Sequence, residues 1–257
     1  MIEYDERGEG RQPDFPDAVV LEEQMISGVI LKIAAPCNLN CAYCYVYNHE
    51  DQSWKSRPKS IPDAVLDSFI RRATSYARRR RSKLSITLHG GEPTLVGPAR
   101  LDEIARRIRE GLGDHLAGLS MQTNGTLIDD EFVEVFERRG INVGVSLDGP
   151  ADVHDAERVY HNGRGSHADA MRGIEVLQRH GLRPHILSVL NPRLGGAATY
   201  RYFREIGVAN FDLLLPTRPP ALRAGHRPLA SAPDRRSSAA CCRGRRPAGV
   251  GRSSPRR

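Results

Sequence analysis

The stretch Pro36-Cys37-Asn38-Leu39-Asn40-Cys41-Ala42-Tyr43-Cys44 follows the apolar run Val29-Ile30-Leu31-Lys32-Ile33-Ala34. Its three thiols fall within eight residues at the spacing Cys-x3-Cys-x2-Cys, on a loop expected to leave a strand. A [4Fe–4S] cube has four irons and is ordinarily held by four thiolates. Three local thiolates hold three irons and leave the fourth open, as a catalytic zinc keeps one position free. An open iron takes a small molecule through an amine and a carboxylate. A disulfide framework would need an even cysteine set and a secretory leader, and the sequence reads as neither. Zinc would need a fourth ligand; His49 is close, at a spacing that matches no zinc pattern.

Outward from this loop the chain alternates between short apolar runs and helical periodicity. Gly28–Ala34 is apolar without alternation, which predicts a strand buried on both faces. Ser60-Ile61-Pro62-Asp63 opens a helix whose face carries Val65, Leu66, Phe69, Ile70, Ala73 and Ala77. Pro62 suits its first turn, Asp63 the positive dipole end, and Arg78 to Arg81 its solvated C-terminus. Strands follow at residues 84–88, 119–122, 141–147, 186–190 and 211–215, with helix faces between them. Six strands alternating with helices imply a parallel sheet with right-handed crossovers. A partial (β/α)6 barrel and an open doubly wound sheet both satisfy that pattern.

Active groups in such α/β folds gather at the C-terminal strand ends, and the unusual motifs of this chain fall there. His89-Gly90-Gly91-Glu92-Pro93 follows the second strand and Thr123-Asn124-Gly125-Thr126 the third. Ser146-Leu147-Asp148-Gly149-Pro150 ends the fourth strand, and Leu190-Asn191-Pro192 the fifth. Glycines let a backbone approach a ligand closely, and turn carbonyls accept from an ammonium group. On that reasoning Gly91→Val would weaken the ligand and spare any cluster. Asn124-Gly125 and Asp148-Gly149 also suit plain turns, because these residues tolerate positive φ. His49, His89, His154 and His161 are candidate acid/base groups, and a structural role accounts for each equally well.

The cysteine spacing with Gly90-Gly91-Glu92-Pro93 resembles the signature of the radical S-adenosylmethionine (radical SAM) superfamily, over roughly residues 29–215. The resemblance implies a partial (β/α)6 TIM-like barrel, with Cys37, Cys41 and Cys44 holding a [4Fe–4S] cluster whose open iron chelates SAM. It implies that Tyr43 lies near the adenine and that Gly90, Gly91, Glu92 and Pro93 form the turn at the SAM amine. Asn124, Ser146, Arg158 and Leu190 are its further SAM-site candidates, Ser146 and Arg158 near the ribose and carboxylate. No acid/base residue is assigned. Gln122-Thr123-Asn124-Gly125 and Ser146-Leu147-Asp148-Gly149 are similar to the peptide-modifying branch, which includes cyclophane-forming peptide maturases and anaerobic sulfatase-maturating enzymes. The implied reaction is reductive SAM cleavage to a 5′-deoxyadenosyl radical that takes hydrogen from a peptide or protein side chain. The implied electron donor is a flavodoxin or ferredoxin. Relatives of this kind carry a cysteine-rich SPASM domain beyond the barrel, and this chain departs from them there.

Past Pro216 the composition changes. Residues 217–257 hold 11 Arg, no Lys and one acid, Asp234, and 33 of these 41 residues are Arg, Pro, Ala, Gly or Ser. Such a segment cannot bury enough apolar surface to offset its ordering entropy. It reads as a disordered basic tail, or as the product of a frameshift in a GC-rich gene. Subtracting it from the chain totals of 38 basic and 31 acidic residues leaves 27 and 30, a charge of −3 for residues 1–216. A radical SAM enzyme acting on RNA, or a non-catalytic nucleic-acid-binding module, would therefore rest on the tail alone. The expected division is a leader over 1–27, the barrel over 28–216 and the tail over 217–257. Without an apolar run of membrane-span length, the reduced thiols fit a cytoplasmic setting.

Overall fold

A computed structural model describes residues 3–4, 10–11, 25–48 and 50–216. The expected tail, most of the expected leader and His49 lie outside the described residues, and the fold described is that of the unit Met1–Thr217. Within the expected leader, Glu3–Tyr4 pairs antiparallel with Gly10–Arg11.

Six parallel strands form one sheet: β1 (Gly28–Ala34), β2 (Leu84–Gly90), β3 (Leu116–Thr123), β4 (Ile141–Ser146), β5 (His185–Val189) and β6 (Phe211–Leu214). The helices are α1 (Asp63–Arg80), α2 (Pro98–Leu112), α3 (Asp130–Arg139), α4 (Ala151–His154), α5 (His167–Arg179) and α6 (Gly196–Glu205). The strands lie side by side in chain order. A doubly wound sheet reverses its order part-way and covers both faces with helices. Sequential order repeats one crossover step, so the helices collect on one face and the sheet curls away from them. Because β1 and β6 do not pair among the described residues, the barrel is partial. That decides between the two architectures left open by the sequence.

The alternation within each strand sorts the two faces. Leu84, Ile86 and Leu88 of β2, Leu119 and Met121 of β3, and Ile141, Val143 and Val145 of β4 are buried toward the helices. There they join Leu101, Ile104 and Ile108 of α2, Phe132, Val133 and Phe136 of α3, and Ile174 and Leu177 of α5 in one core. Each fully buried Leu or Ile contributes about 1.5–3 kcal/mol. The intervening residues face the concave side and are polar or small: Thr87 and His89, Ser120 and Gln122, Gly144 and Ser146. Strand β1 corrects the expectation of burial on both faces. Its residues alternate, with Ile30 at 69% exposure and only Ile33 and Ala34 fully covered, because it is an edge strand of an open sheet and no neighbour covers its concave face.

Local signals place the helix ends. Asp129 caps α3 by accepting from the Phe132 N–H at 3.1 Å, and Gly140 ends it at φ +55°. Asp63 in the first turn of α1 accepts from Arg100 and Arg107 of α2, both at 2.7 Å, so the residue expected to answer the helix dipole also ties two helices together.

Candidate active site

The cysteine loop sits at the C-terminal rim and is braced from three other strand ends. Its stem is zipped to the glycine turn after β2: the Gly91 N–H donates to the Ala34 carbonyl at 3.1 Å and the Glu92 N–H to the Pro36 carbonyl at 2.9 Å. A side chain at Gly90 would strike the Ala34 carbonyl, and one at Gly91 would strike the Pro36 carbonyl and the Tyr47 hydroxyl. The glycines therefore seat the loop itself. This corrects the expectation that Gly91→Val would act on a ligand while sparing the cluster, since the collision falls on the residue next to Cys37.

Glu92 is 1% exposed, and its carboxylate accepts four hydrogen bonds. These come from the Thr94 N–H at 3.0 Å, the Thr94 and Thr123 hydroxyls at 2.6 Å each, and the Asn124 N–H at 2.7 Å. Burial pushes its pKa up, while the four donors favour the ionised form. The side chain fastens β2 to β3, and what it leaves for a ligand is backbone. Pro93 opens the following 3-10 turn and is buried.

From β3, Asn124 donates through Nδ2 to the Asn38 Oδ1 at 2.8 Å, and the same nitrogen lies 4.0 Å from Cys37 Sγ. Asn38 in turn donates to the Thr126 hydroxyl at 2.9 Å. From beyond β4, residues 157–161 run along the loop: the Asn40 N–H donates to the Val159 carbonyl at 2.7 Å and the Ala42 N–H to the Glu157 carbonyl at 2.9 Å. His161 Nε2 bonds the Cys37 carbonyl at 3.0 Å.

The Tyr43 hydroxyl donates to Asp148 Oδ2 at 2.5 Å, and Arg158 Nε donates to the same oxygen at 3.0 Å. Asp148 Oδ1 accepts from the Val189 N–H at 3.0 Å. The Arg158 guanidinium stands 5.4 Å from the centroid of the Tyr43 ring. Burial works against its charge, but Tyr43, Asp148 and Cys41 outweigh burial and push its pKa up. Its side chain is 11% exposed, and beyond the Nε bond no described residue takes its Nη donors. A guanidinium so placed offers a fork to an anion.

Cys37, Cys41 and Cys44 are free and half-buried. Burial pushes the Cys37 thiol up to about 12, with Glu92 and the other two cysteines adding to the shift. The Cys41 thiol is also raised by burial, against the pull of Arg158. Desolvated thiols in mutual electrostatic contact are poor thiolates alone and good ones around a cationic iron cluster. Among the described residues no three His, Cys, Asp or Glu side chains converge on one ion, the arrangement zinc needs. A cube instead asks for one thiolate per iron, so this donor set fits it.

The structure brings the cysteines, Tyr43, Gly90 to Pro93, Asn124 and Arg158 to one rim. Ser146 lies one pleat below and accepts from Gln122 Nε2 at 2.9 Å; the Gln122 amide crosses over Gly144, where any side chain would collide with it. Leu190 bonds the Leu214 carbonyl of β6 at 2.8 Å and makes no hydrogen bond to the cysteine loop. His89 is turned onto the backbone of Gly90. His154 is 1% exposed, and burial first, then Arg158, hold it down to about 4. Sequence reasoning missed Asp148, Asn38, Thr126 and His161 as loop partners. Turn chemistry at Asp-Gly and Asn-Gly explains Gly149 at φ +135° and Gly125 at φ +77° but not the residues before them.

Residues 32–205, more than half of the chain, match the Radical SAM superfamily. The chain belongs to the radical SAM superfamily. Proteins of this superfamily use a [4Fe–4S] cluster and S-adenosylmethionine. A serine-type anaerobic sulfatase-maturating enzyme of Bacteroides thetaiotaomicron is 33% identical over 183 residues, 69% of this chain and 43% of that protein. A cysteine-type anaerobic sulfatase-maturating enzyme of Clostridium novyi is 31% identical over 187 residues, 70% of this chain and 48% of that protein. The solved structure of native anSMEcpe with bound AdoMet superposes with a TM-score of 0.64 at 27% identity, covering 74% of this chain and 52% of that one. Streptococcus suis SuiB bound to S-adenosylmethionine, at 15% identity and a TM-score of 0.53 over 75% of this chain and 40% of that one, shares the fold. This radical SAM chain thus spans about half the length of the curated relatives it matches. No helix among the described residues is long and apolar enough to cross a membrane.

Proposed function

We propose that this chain is a radical SAM enzyme of the peptide-modifying kind, holding a [4Fe–4S] cluster on Cys37, Cys41 and Cys44. The observation that carries the reading is a loop of three free thiols with the unmatched fork of Arg158 beside Cys41. When bound, the cluster supplies the electron that cleaves the SAM C–S bond, and the resulting 5′-deoxyadenosyl radical takes hydrogen from a substrate carbon.

The chain's own residues bind and orient. Arg158 offers its free Nη donors to the SAM carboxylate, and the carbonyls of the Gly90–Gly91 turn receive the amine. Tyr43 and Leu190 border the adenine, and Ser146 and Asn124 border the ribose side. The polar concave face below receives the substrate. A peptide or protein side chain is the proposed substrate, supported by the names of the sulfatase-maturating relatives. Solved structures of anSMEcpe with the Kp18Cys peptide and of SuiB with its precursor peptide SuiA point the same way. A flavodoxin or ferredoxin is the proposed electron donor.

The test is reductive SAM cleavage by anaerobically reconstituted protein. 5′-Deoxyadenosine should form with dithionite and vanish when Cys37, Cys41 and Cys44 are replaced by Ala. Equal product from the triple variant would overturn the reading.

A further inference from the structure

Asp148 lies in a segment whose sequence suits a plain turn, yet it is 2% exposed and joins four parts of the chain. Its Oδ2 takes the Tyr43 hydroxyl of the cysteine loop and Arg158 Nε of the segment after α4. Its Oδ1 takes the Val189 N–H at the end of β5. Its own N–H points at His154 Nδ1, 3.3 Å away. That contact fixes the imidazole tautomer: Nδ1 faces a donor and carries no proton, so Nε2–H donates to the Ser166 hydroxyl at 3.0 Å. Ser166 donates onward to the Arg158 carbonyl at 2.8 Å. The backbone and the side chain of Arg158 are thus both referred back to Asp148, one through His154 and Ser166, the other directly.

Both Asp148 oxygens are satisfied inside the protein, so the carboxylate has nothing left for a ligand. Arg158 is in the opposite state. One of its five N–H donors is held, at Nε, and the four on Nη1 and Nη2 have no described partner. A side-on carboxylate at Nε locks the rotation of the guanidinium plane and leaves the Nη edge pointing away. The same carboxylate, through the Tyr43 hydroxyl, sets the ring over which the guanidinium lies.

We infer that Asp148 is a positioning residue for SAM: it touches no ligand, and its charge aims the Nη edge of Arg158 and holds the Tyr43 ring. This rests on the proposed role of Arg158 at the SAM carboxylate. The cysteines themselves are seated by the Gly90–Glu92 turn and by residues 157–161, so the cluster does not depend on the Asp148 charge.

The test uses the full chain carrying its reconstituted cluster. Asp148→Asn keeps the shape and removes the charge. Its iron content should equal that of the unaltered protein, while SAM binding, followed by calorimetry and by the change SAM causes in the EPR signal of the reduced cluster, should weaken about 10- to 100-fold, the loss expected of a hydrogen bond between charged groups. In an Arg158→Met background the same substitution should have little further effect, because there is no fork left to aim. Tyr43→Phe, which leaves the Asp148–Arg158 pair intact, should weaken SAM less than Asp148→Asn does. Unchanged SAM affinity in Asp148→Asn overturns the inference, and so does full additivity with Arg158→Met. Loss of iron or of folding in Asp148→Asn overturns it too, since the residue would then be building the loop. Failure of the unaltered iron–sulfur protein to bind SAM overturns the proposed function instead.

Discussion

A methyl group at Gly91 would press on the Pro36 carbonyl and the Tyr47 hydroxyl, and Pro36 adjoins the first cysteine. Gly91→Val therefore costs the protein its iron as well as its SAM; overpacking of this kind costs about 1–3 kcal/mol where backbone must move. Iron analysis of the purified variant checks this, and full iron with weakened SAM binding would return the glycine to a role at the ligand alone. Glu92 acts one residue on. Glu92→Gln puts an amide N–H₂ against donors that expect an oxygen, leaving one or two of them unmatched at about 1–3 kcal/mol each. The melting temperature should fall by roughly 5–10 °C for a domain of this size, measured by thermal denaturation. A shift under about 2 °C would mean that the four-donor carboxylate is not the tie between β2 and β3. Both residues sit in a motif legible from sequence, but only as ligand contacts. Their partners at Pro36, Tyr47, Thr123 and Asn124 come from other strands, which a local motif does not reveal.

Between β4 and α5 the chain winds around one buried imidazole. His154 is held neutral, down to about 4 from 6.5, by burial and then by the Arg158 charge. A histidine with a depressed folded pKa stabilises fully above its unfolded value, and that contribution is lost as pH falls through the folded value. Stability should therefore decline between about pH 6.5 and pH 4, by up to about 3 kcal/mol. In His154→Asn, whose side-chain oxygen can still face the Asp148 N–H, the decline over that window should be shallower. Denaturant unfolding at several pH values checks this; identical slopes in both proteins would remove His154 as the acid-sensitive group. The elements themselves are largely legible in the sequence. Apolar runs at residues 84–88 and 141–147 mark strands because the helix-facing residues of β2 and β4 must be apolar wherever they fold. Strand β1 departs from its expected burial because its exposure depends on being first in a sequential sheet, a fact of topology. The role of Asp148 is hidden for a related reason: its donors Tyr43 and Val189 lie 105 and 41 residues away.

At the scale of the molecule, a partial barrel leaves β1 and β6 unpaired among the described residues, and Leu213, Leu214 and Leu215 are exposed at 38, 45 and 77%. An apolar edge of this kind invites edge-to-edge association. Leu215→Lys should lower light scattering of the concentrated protein with no change in iron content, and unaltered scattering would show that this edge is not the sticky one. In the proposed centre, three thiolates hold a cube whose fourth iron is left for SAM. The direct measurement is iron and acid-labile sulfide in protein purified without oxygen, followed by EPR of the reduced cluster with and without SAM. About four irons and four sulfides per chain are expected, with a signal that shifts when SAM is added. Stoichiometric zinc without iron, or a four-iron cluster whose signal ignores SAM, would contradict it.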